Sequence, residues 1–144
     1  MKTEIHIDPD CREPKLILVT PEVTPEQQAL LSRLEQGRSI LGYQGSSVTR
    51  LKQTDIFRFY TENQRVLAET EKEVYTIRQR LYELEQQLSG GDFIRISQGE
   101  LINLALVRDF DLNFSGTIRV RLQNGKETYV SRRYVKKIKE ALGI

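Results

Sequence analysis

The stretch that most constrains this chain is Gly116 to Ser131, GTIRVRLQNGKETYVS. Ile118, Val120 and Leu122 alternate with Arg119 and Arg121, the period-two signature of a strand with one buried face. Asn124-Gly125 follows, and Asn-Gly between two such runs supplies the positive backbone angles of a two-residue type I′ hairpin turn. Thr128 and Val130 carry the returning strand, and Arg119 and Arg121 are expected to point to solvent. Ser131 can cap a helix starting at Arg132, because Val135, Ile138 and Leu142 recur at helical spacing. Arg132, Arg133, Lys136, Lys137 and Lys139 then surround one short helix. Lysines near a helix C-terminus complement the helix dipole, but two adjacent arginines in the first turn do not. Their presence there asks for an external anion.

Charge is close to balanced overall, with 22 Lys+Arg against 20 Asp+Glu, but it is not evenly spread. Residues 1 to 37 hold four basic and seven acidic residues, whereas Ile118 to Ile144 hold eight basic and two acidic ones. A local excess of that kind is the footprint of a phosphate-binding surface. The single cysteine, Cys11, excludes an internal disulfide and a cysteine-type metal site. No apolar run reaches the roughly 18 residues of a membrane span, and the N-terminus lacks the apolar core of a signal peptide. A cytoplasmic protein is expected.

All four prolines, at positions 9, 14, 21 and 25, lie in the first 25 residues and set that segment apart. Residues 1–37 read as strand, strand, helix. Ile5 and Ile7 alternate with polar neighbours before Asp8-Pro9-Asp10, and Leu16 to Val19 form a second apolar run. Thr24 is an N-cap with Pro25 at the first helical position, and the helix is expected to carry Ala29, Leu30, Leu31 and Leu34 inward and to stop near Gly37. A unit of this size cannot sustain a core alone, so it is expected to pack on the remainder or on a second chain. His6, the only histidine, falls on the exposed face of an edge strand.

Residues 38–144 form the second, β-rich unit. Ser39 to Tyr43 and Val48 to Leu51 flank the turn cluster Gln44-Gly45-Ser46-Ser47. Ile56-Phe57-Arg58-Phe59-Tyr60 is a strong strand former. Thr61-Glu62-Asn63-Gln64 is turn-like, after which Val66, Ala68 and Thr70 begin another strand that returns through Lys72 and Glu73 to Val74-Tyr75-Thr76. From Ile77 the period changes: Ile77, Leu81, Leu84 and Leu88 form one stripe of an amphipathic helix, ended by Gly90-Gly91. Phe93 to Ile96 is a further strand.

Enzyme chemistry finds no support in these residues. No histidine lies near a serine or the cysteine to build an acyl-transfer triad, and phosphate-loop, dinucleotide and zinc-protease motifs are absent. Carboxylates are scattered among Lys and Arg rather than held in apolar pockets. No catalytic residue, metal or cofactor is expected.

Phe93-Ile94-Arg95-Ile96-Ser97-Gln98-Gly99-Glu100-Leu101-Ile102-Asn103-Leu104, with the glycine-centred hairpin and Val130-Ser131-Arg132-Arg133-Tyr134-Val135-Lys136-Lys137 after it, resembles the LytTR DNA-binding domain of bacterial response regulators. The similarity runs from about Arg38 to Ile144 and takes in the Ile56 to Tyr60 strand. It implies a mainly β fold with short helices (α+β), in which loops enter successive major grooves of duplex DNA. By position it implies Asn63, Gln64, Gln98 and Arg133 as base-reading residues. Gln can pair bidentately with adenine and Arg with guanine, each worth about 1 to 3 kcal/mol of discrimination. Arg95, Ser97, Arg132, Lys136 and Lys137 would contact phosphates, which position without specifying. Ser97-Gln98-Gly99 stands where many relatives carry a His-Arg-Ser-like turn, so the target sequence does not transfer. Taken without the resemblance, Asn63 and Gln98 are ordinary turn residues.

A phosphoacceptor receiver needs roughly 120 residues, which the segment before Arg38 does not provide. The chain therefore resembles stand-alone LytTR regulators, which implies control by protein contact, with a small membrane protein as one such partner. The expected function is a DNA-binding transcription regulator acting as a homodimer on repeated half-sites, its N-terminal unit serving as accessory or oligomerisation element. The alternative is a protein-interaction module whose basic C-terminal helix meets an acidic partner.

Overall fold

The computed structural model describes residues 1–36, 40–112 and 116–144. The chain divides into two compact units, Met1–Gly37 and Arg38–Ile144.

In the first unit, helix α1 spans Pro25–Gln36. Thr24 Oγ1 accepts from the Gln27 amide at 3.3 Å while Gln27 Oε1 accepts from the Thr24 amide at 3.1 Å. That reciprocal capping box satisfies two amide donors at the N-terminus and fixes the start where the sequence places it. The two expected strands do not form among the described residues. The turn between them does, with the Cys11 amide donating to Asp8 O at 3.0 Å, but its flanks carry no assigned secondary structure. Ile5 and Val19 are about as exposed as they can be, at 91% and 90%, and Leu34 is exposed as well. Alternation marks a segment able to be a strand, while the strand itself needs a neighbour to bond. Gly37, the expected helix stop, lies outside the described residues.

The second unit is built on a seven-stranded antiparallel sheet. Its strands are β1 Ile40–Gln44, β2 Ser47–Leu51, β3 Ile56–Glu62, β4 Arg65–Thr70, β5 Val74–Ile77, β6 Phe93–Ser97 and β7 Glu100–Asn103, in spatial order β2-β1-β5-β4-β3-β7-β6. Strands β8 Val107–Asp111, β9 Ile118–Leu122 and β10 Glu127–Val130 form a second sheet in the order β10-β9-β8. Helix α2, Leu81–Gln87, lies between β5 and β6, and helix α3, Val135–Leu142, follows a 3-10 turn at Arg132–Tyr134. No described helix is long and apolar enough to cross a membrane.

Two apolar layers hold this unit together. Leu81, Leu84 and Leu88 pack α2 on Ile40, Ile56, Phe59, Ala68, Ile77 and Leu101 of the large sheet. Phe57, Ile96 and Ile102 turn to the opposite face, where Ile118, Val120, Leu122 and Val130 of the small sheet and Ile138 of α3 meet them. Leu101 and Ile102 thus bury adjacent side chains on opposite faces. A strand buried on both faces shows no alternation, which is why β7 is invisible to the period-two test. The helix expected from Ile77 begins only at Leu81. Ile77 is the last residue of β5, paired with Val66, and it joins the helical stripe because both elements point into one core.

The hairpin between β9 and β10 differs from expectation in its turn. Gly125 has φ +87° and Asn124 is not in the left-handed region. The Gly125 amide donates to Leu122 O at 3.0 Å, and the Leu122 amide to Lys126 O at 2.8 Å. This is a three-residue loop closed by a left-handed glycine, the next commonest hairpin solution after the two-residue turns. The two-residue turn with both angles positive occurs at Asn63-Gln64 instead, with φ of 51° and 65° between paired Glu62 and Arg65.

Arg119 and Arg121 also depart from expectation. Strand β8 lies beside them, with Asp111 opposite Arg119 and Asp109 opposite Arg121. Asp111 Oδ2 is 2.8 Å from Arg119 and 3.2 Å from Arg121, and Asp109 Oδ1 is 2.8 Å from Arg121. Both arginines are half-buried in this ladder, and hydrogen bonding to Asp111 pushes the Arg119 guanidinium further up. They are cross-strand ion pairs rather than free surface cations.

Candidate nucleic-acid interface

Sheet order decides which candidate residues meet. Strand β3 lies between β4 and β7, so the Asn63-Gln64 turn at the end of β3 and the Gln98-Gly99 turn at the start of β7 emerge at the same end of the sheet. They touch there: the Thr61 amide donates to Gly99 O at 2.9 Å. The third segment is tied to the second, because the Ser131 amide donates to Ile96 O at 2.9 Å and thereby anchors the start of the Arg132–Tyr134 turn on β6. Residues far apart in sequence are held along one margin of the unit by these two backbone hydrogen bonds.

Asn63, Gln64, Gln98 and Arg133 are all exposed there. A type I′ turn is usually built from Gly or Asn; Gln64 at φ 65° is an uncommon conformation for a residue with a long side chain. Tension of this kind is characteristic of positions held for use rather than for stability. Among the described residues, none of these four side chains has a hydrogen-bond or ion-pair partner, and the same holds for Arg132, Lys136 and Lys139. Lys137 is 4.0 Å from Glu85 of α2, with its own side chain exposed and that of Glu85 partly so, so this pair contributes about 0 to 1 kcal/mol and yields readily to a phosphate.

Two residues expected at phosphates are placed differently. The side chain of Arg95 is 12% exposed. Its Nε donates to Ser97 O at 2.9 Å, its Nη2 donates to Gln98 O, and its Nη1 lies 3.7 Å from Glu85. Ser97 Oγ accepts from the Gly99 amide at 3.3 Å. Both side chains are engaged in shaping the turn that carries Gln98.

Beneath this margin lies a buried ionic network that residue pattern alone did not reveal. Arg58 Nη1 donates to Glu100 at 2.6 Å, and its Nε donates to Glu69 at 3.2 Å. The far sheet joins in, as Asn124 Nδ2 donates to Glu69 at 3.1 Å and Thr128 Oγ1 donates to Glu100. Burial pulls the Arg58 guanidinium down, but its hydrogen bonds to Glu69 and Glu100 outweigh it and the net shift is upward. Burying charged groups is costly unless each is paired, and here every member of the network has a partner. The network locks β3, β4 and β7 to the β9–β10 hairpin and so fixes the turns relative to the C-terminal helix. In the sequence its only trace is a charged residue inside an aromatic strand, Phe57-Arg58-Phe59.

Comparison with known proteins agrees with this geometry. The LytTr DNA-binding domain family matches residues 46–143. An HTH-type transcriptional regulator of Staphylococcus aureus strain NCTC 8325 is 32% identical over 147 residues, covering 100% of this chain and 99% of that protein. The corresponding regulator of strain MRSA252 is 31% identical over the same span. In three dimensions the LytTr DNA-binding domain of a Bacillus cereus methyl-accepting/DNA response regulator superposes with a TM-score of 0.71 at 18% identity, covering 75% of this chain and all of that one. Despite the wording of the relatives' names, no two described α-helices here follow one another across a simple turn. The mainly β architecture, the three turns gathered at one margin and the match over residues 46–143 place this chain in the LytTr DNA-binding domain family.

Proposed function

We propose that this protein is a sequence-specific transcription regulator that grips duplex DNA with the margin formed by the Asn63-Gln64 turn, the Gln98 turn and the start of the C-terminal helix. One observation carries the reading: four side chains able to read base edges stand exposed on that margin, with no hydrogen-bond or ion-pair partner among the described residues. The amides of Asn63, Gln64 and Gln98 offer a donor and an acceptor together, which suits adenine, and the Arg133 fork suits guanine. Arg132, Lys136 and Lys137 flank them as phosphate anchors. The turns enter the major groove, since the minor groove does not distinguish A·T from T·A.

Two copies on repeated half-sites would double the contacts and supply the affinity that one such margin lacks. The acidic, apolar N-terminal unit is the element that joins them or that receives a regulating partner, with a small membrane protein as the partner the family resemblance suggests. Its exposed Ile5, Leu16, Ile17 and Val19 need a cover, because a unit this small cannot bury them alone. Catalysis has no place in this scheme, and the protein acts in the cytoplasm, where DNA is available to it.

Footprinting of the full chain on the region upstream of its own gene tests the reading. A protected segment that survives an excess of scrambled duplex is expected. Protection that disappears equally with specific and scrambled competitor would refute sequence-specific binding. Deletion of residues 1–37 is expected to lower the oligomeric state or the thermal stability; a deletion neutral in both would remove the N-terminal unit from assembly.

A further inference from the structure

Strand β3 pairs with β7 as far as Tyr60 opposite Glu100, and one residue beyond that last ladder pair Thr61, near the end of β3, makes an additional contact with the Gln98-Gly99 turn. The Thr61 amide donates to Gly99 O at 2.9 Å, and Thr61 Oγ1 donates to the same carbonyl at 3.4 Å. The approach is so close that a Cβ on Gly99 would stand 2.5 Å from Thr61 Oγ1, with Thr61 Cβ next at 3.9 Å. Gly99 lies outside the left-handed region, so the turn itself does not demand glycine. The neighbouring turn does. On the other side, Arg95 brackets the carbonyls of Ser97 and Gln98 with one guanidinium and is itself steadied by Glu85 of α2.

We infer that the Asn63-Gln64 turn and the Gln98 turn act as one rigid reading head, its spacing set by the Thr61–Gly99 contact and its second half shaped by Arg95. Thr61, Gly99 and Arg95 are then positioning residues for base selectivity, none of them reading a base. The inference rests on the proposed reading by Asn63, Gln64 and Gln98 and deepens it. Its physical content is that base-edge hydrogen bonds are steep in distance and angle. Two turns that must reach successive bases lose discrimination when their separation changes by a fraction of an ångström. Phosphate contacts through long, mobile lysines tolerate the same displacement.

The test measures binding to the strongest footprinted site and to a scrambled duplex of equal length, with thermal melting of each variant alongside. Gly99→Ala pushes the turns apart and is expected to weaken binding to the footprinted site by at least about fivefold, the lower end of one base contact, with little change on the scrambled duplex. Thr61→Ala alone keeps the amide bond and is expected to be near neutral. The double variant Thr61→Ala/Gly99→Ala removes the atom that the new methyl would meet, and is expected to recover most of the lost selectivity. Arg95→Lys keeps the charge but cannot bracket two carbonyls. Selectivity is therefore expected to fall, whereas a phosphate contact would survive that change, and the variant stands in if Gly99→Ala does not fold.

Selectivity unchanged in Gly99→Ala, a double variant as weak as Gly99→Ala, or equal losses on both duplexes would each overturn the reading head. Wild-type selectivity retained by Arg95→Lys would overturn the role given to Arg95. A wild-type protein that does not distinguish the two duplexes would instead sink the proposed function itself, so the two failures are separable.

Discussion

Two pairs of arginines, Arg119 with Arg121 and Arg132 with Arg133, lie barely a dozen residues apart and have opposite fates. Strand β8 brings Asp109 and Asp111 against the first pair, and the charges close into a cross-strand ladder. The second pair sits on a 3-10 turn at the end of β10, without an ion-pair partner among the described residues, and both side chains are exposed. Basic residues counted along the sequence therefore overstate the cationic surface. Charge available to DNA is what remains after internal pairing.

Three substitutions break or sharpen this contrast. Arg58 is the extreme of the paired class, 18% exposed between Glu69 and Glu100. Arg58→Ala strands two buried carboxylates, and chemical denaturation should show a loss of about 3 to 5 kcal/mol, the range for breaking a buried pair. A loss under about 1 kcal/mol would mean that the network is solvated like an ordinary surface pair. A smaller effect is expected from Asp111→Asn, which removes the carboxylate shared by Arg119 and Arg121. The two guanidiniums become partly free, and nonspecific DNA affinity should rise, steepening the salt dependence by up to about one unit. An unchanged slope would show that β9 faces away from the backbone. The smallest change belongs to Lys137, whose charge is shared with Glu85. Lys137→Ala should lower the salt slope by no more than about one unit, alike on specific and scrambled duplexes. A loss confined to the specific site would make Lys137 a reader.

Much of the β-rich unit was legible from alternation, from side-chain type and from turn residues. Alternation located β9, aromatic and β-branched content located β3, and turn residues separated β1 from β2. Strand β7 was hidden because Leu101 and Ile102 bury opposite faces, and β8 because Arg108, Asp109 and Asp111 leave it no apolar alternation. The Asn-Gly pair gave the hairpin's position but not its turn, since Asn124 kept an ordinary φ and only Gly125 turned left-handed. In the N-terminal unit local chemistry was enough for α1, which carries its own capping box, and insufficient for strands, whose bonds must come from elsewhere.

At the margin itself, Asn63, Gln64, Gln98 and Arg133 are exposed. Arg95 could not be assigned from sequence: a basic residue two positions before a turn looks the same whether it faces a phosphate or reaches back to its own carbonyls. Only the β6–β7 geometry separates those cases. Likewise, nothing in the letters Ser-Gln-Gly-Glu shows that Gly99 is set by Thr61, which is distant in sequence and adjacent in the sheet.

The most direct test of the account is a salt titration of binding to the footprinted and scrambled duplexes for Arg119→Gln, Arg132→Gln and Arg133→Gln. Arg119→Gln is predicted to leave both curves where they are. Arg132→Gln is predicted to weaken both alike and to reduce the slope by about one unit, as for one lost phosphate contact. Arg133→Gln is predicted to cost about 1 to 3 kcal/mol on the footprinted site and much less on the scrambled one. A loss for Arg119→Gln as large as that for Arg132→Gln, with the fold intact, would contradict the division into paired and available arginines. Equal losses on both duplexes for Arg133→Gln would make that residue an anchor rather than a reader.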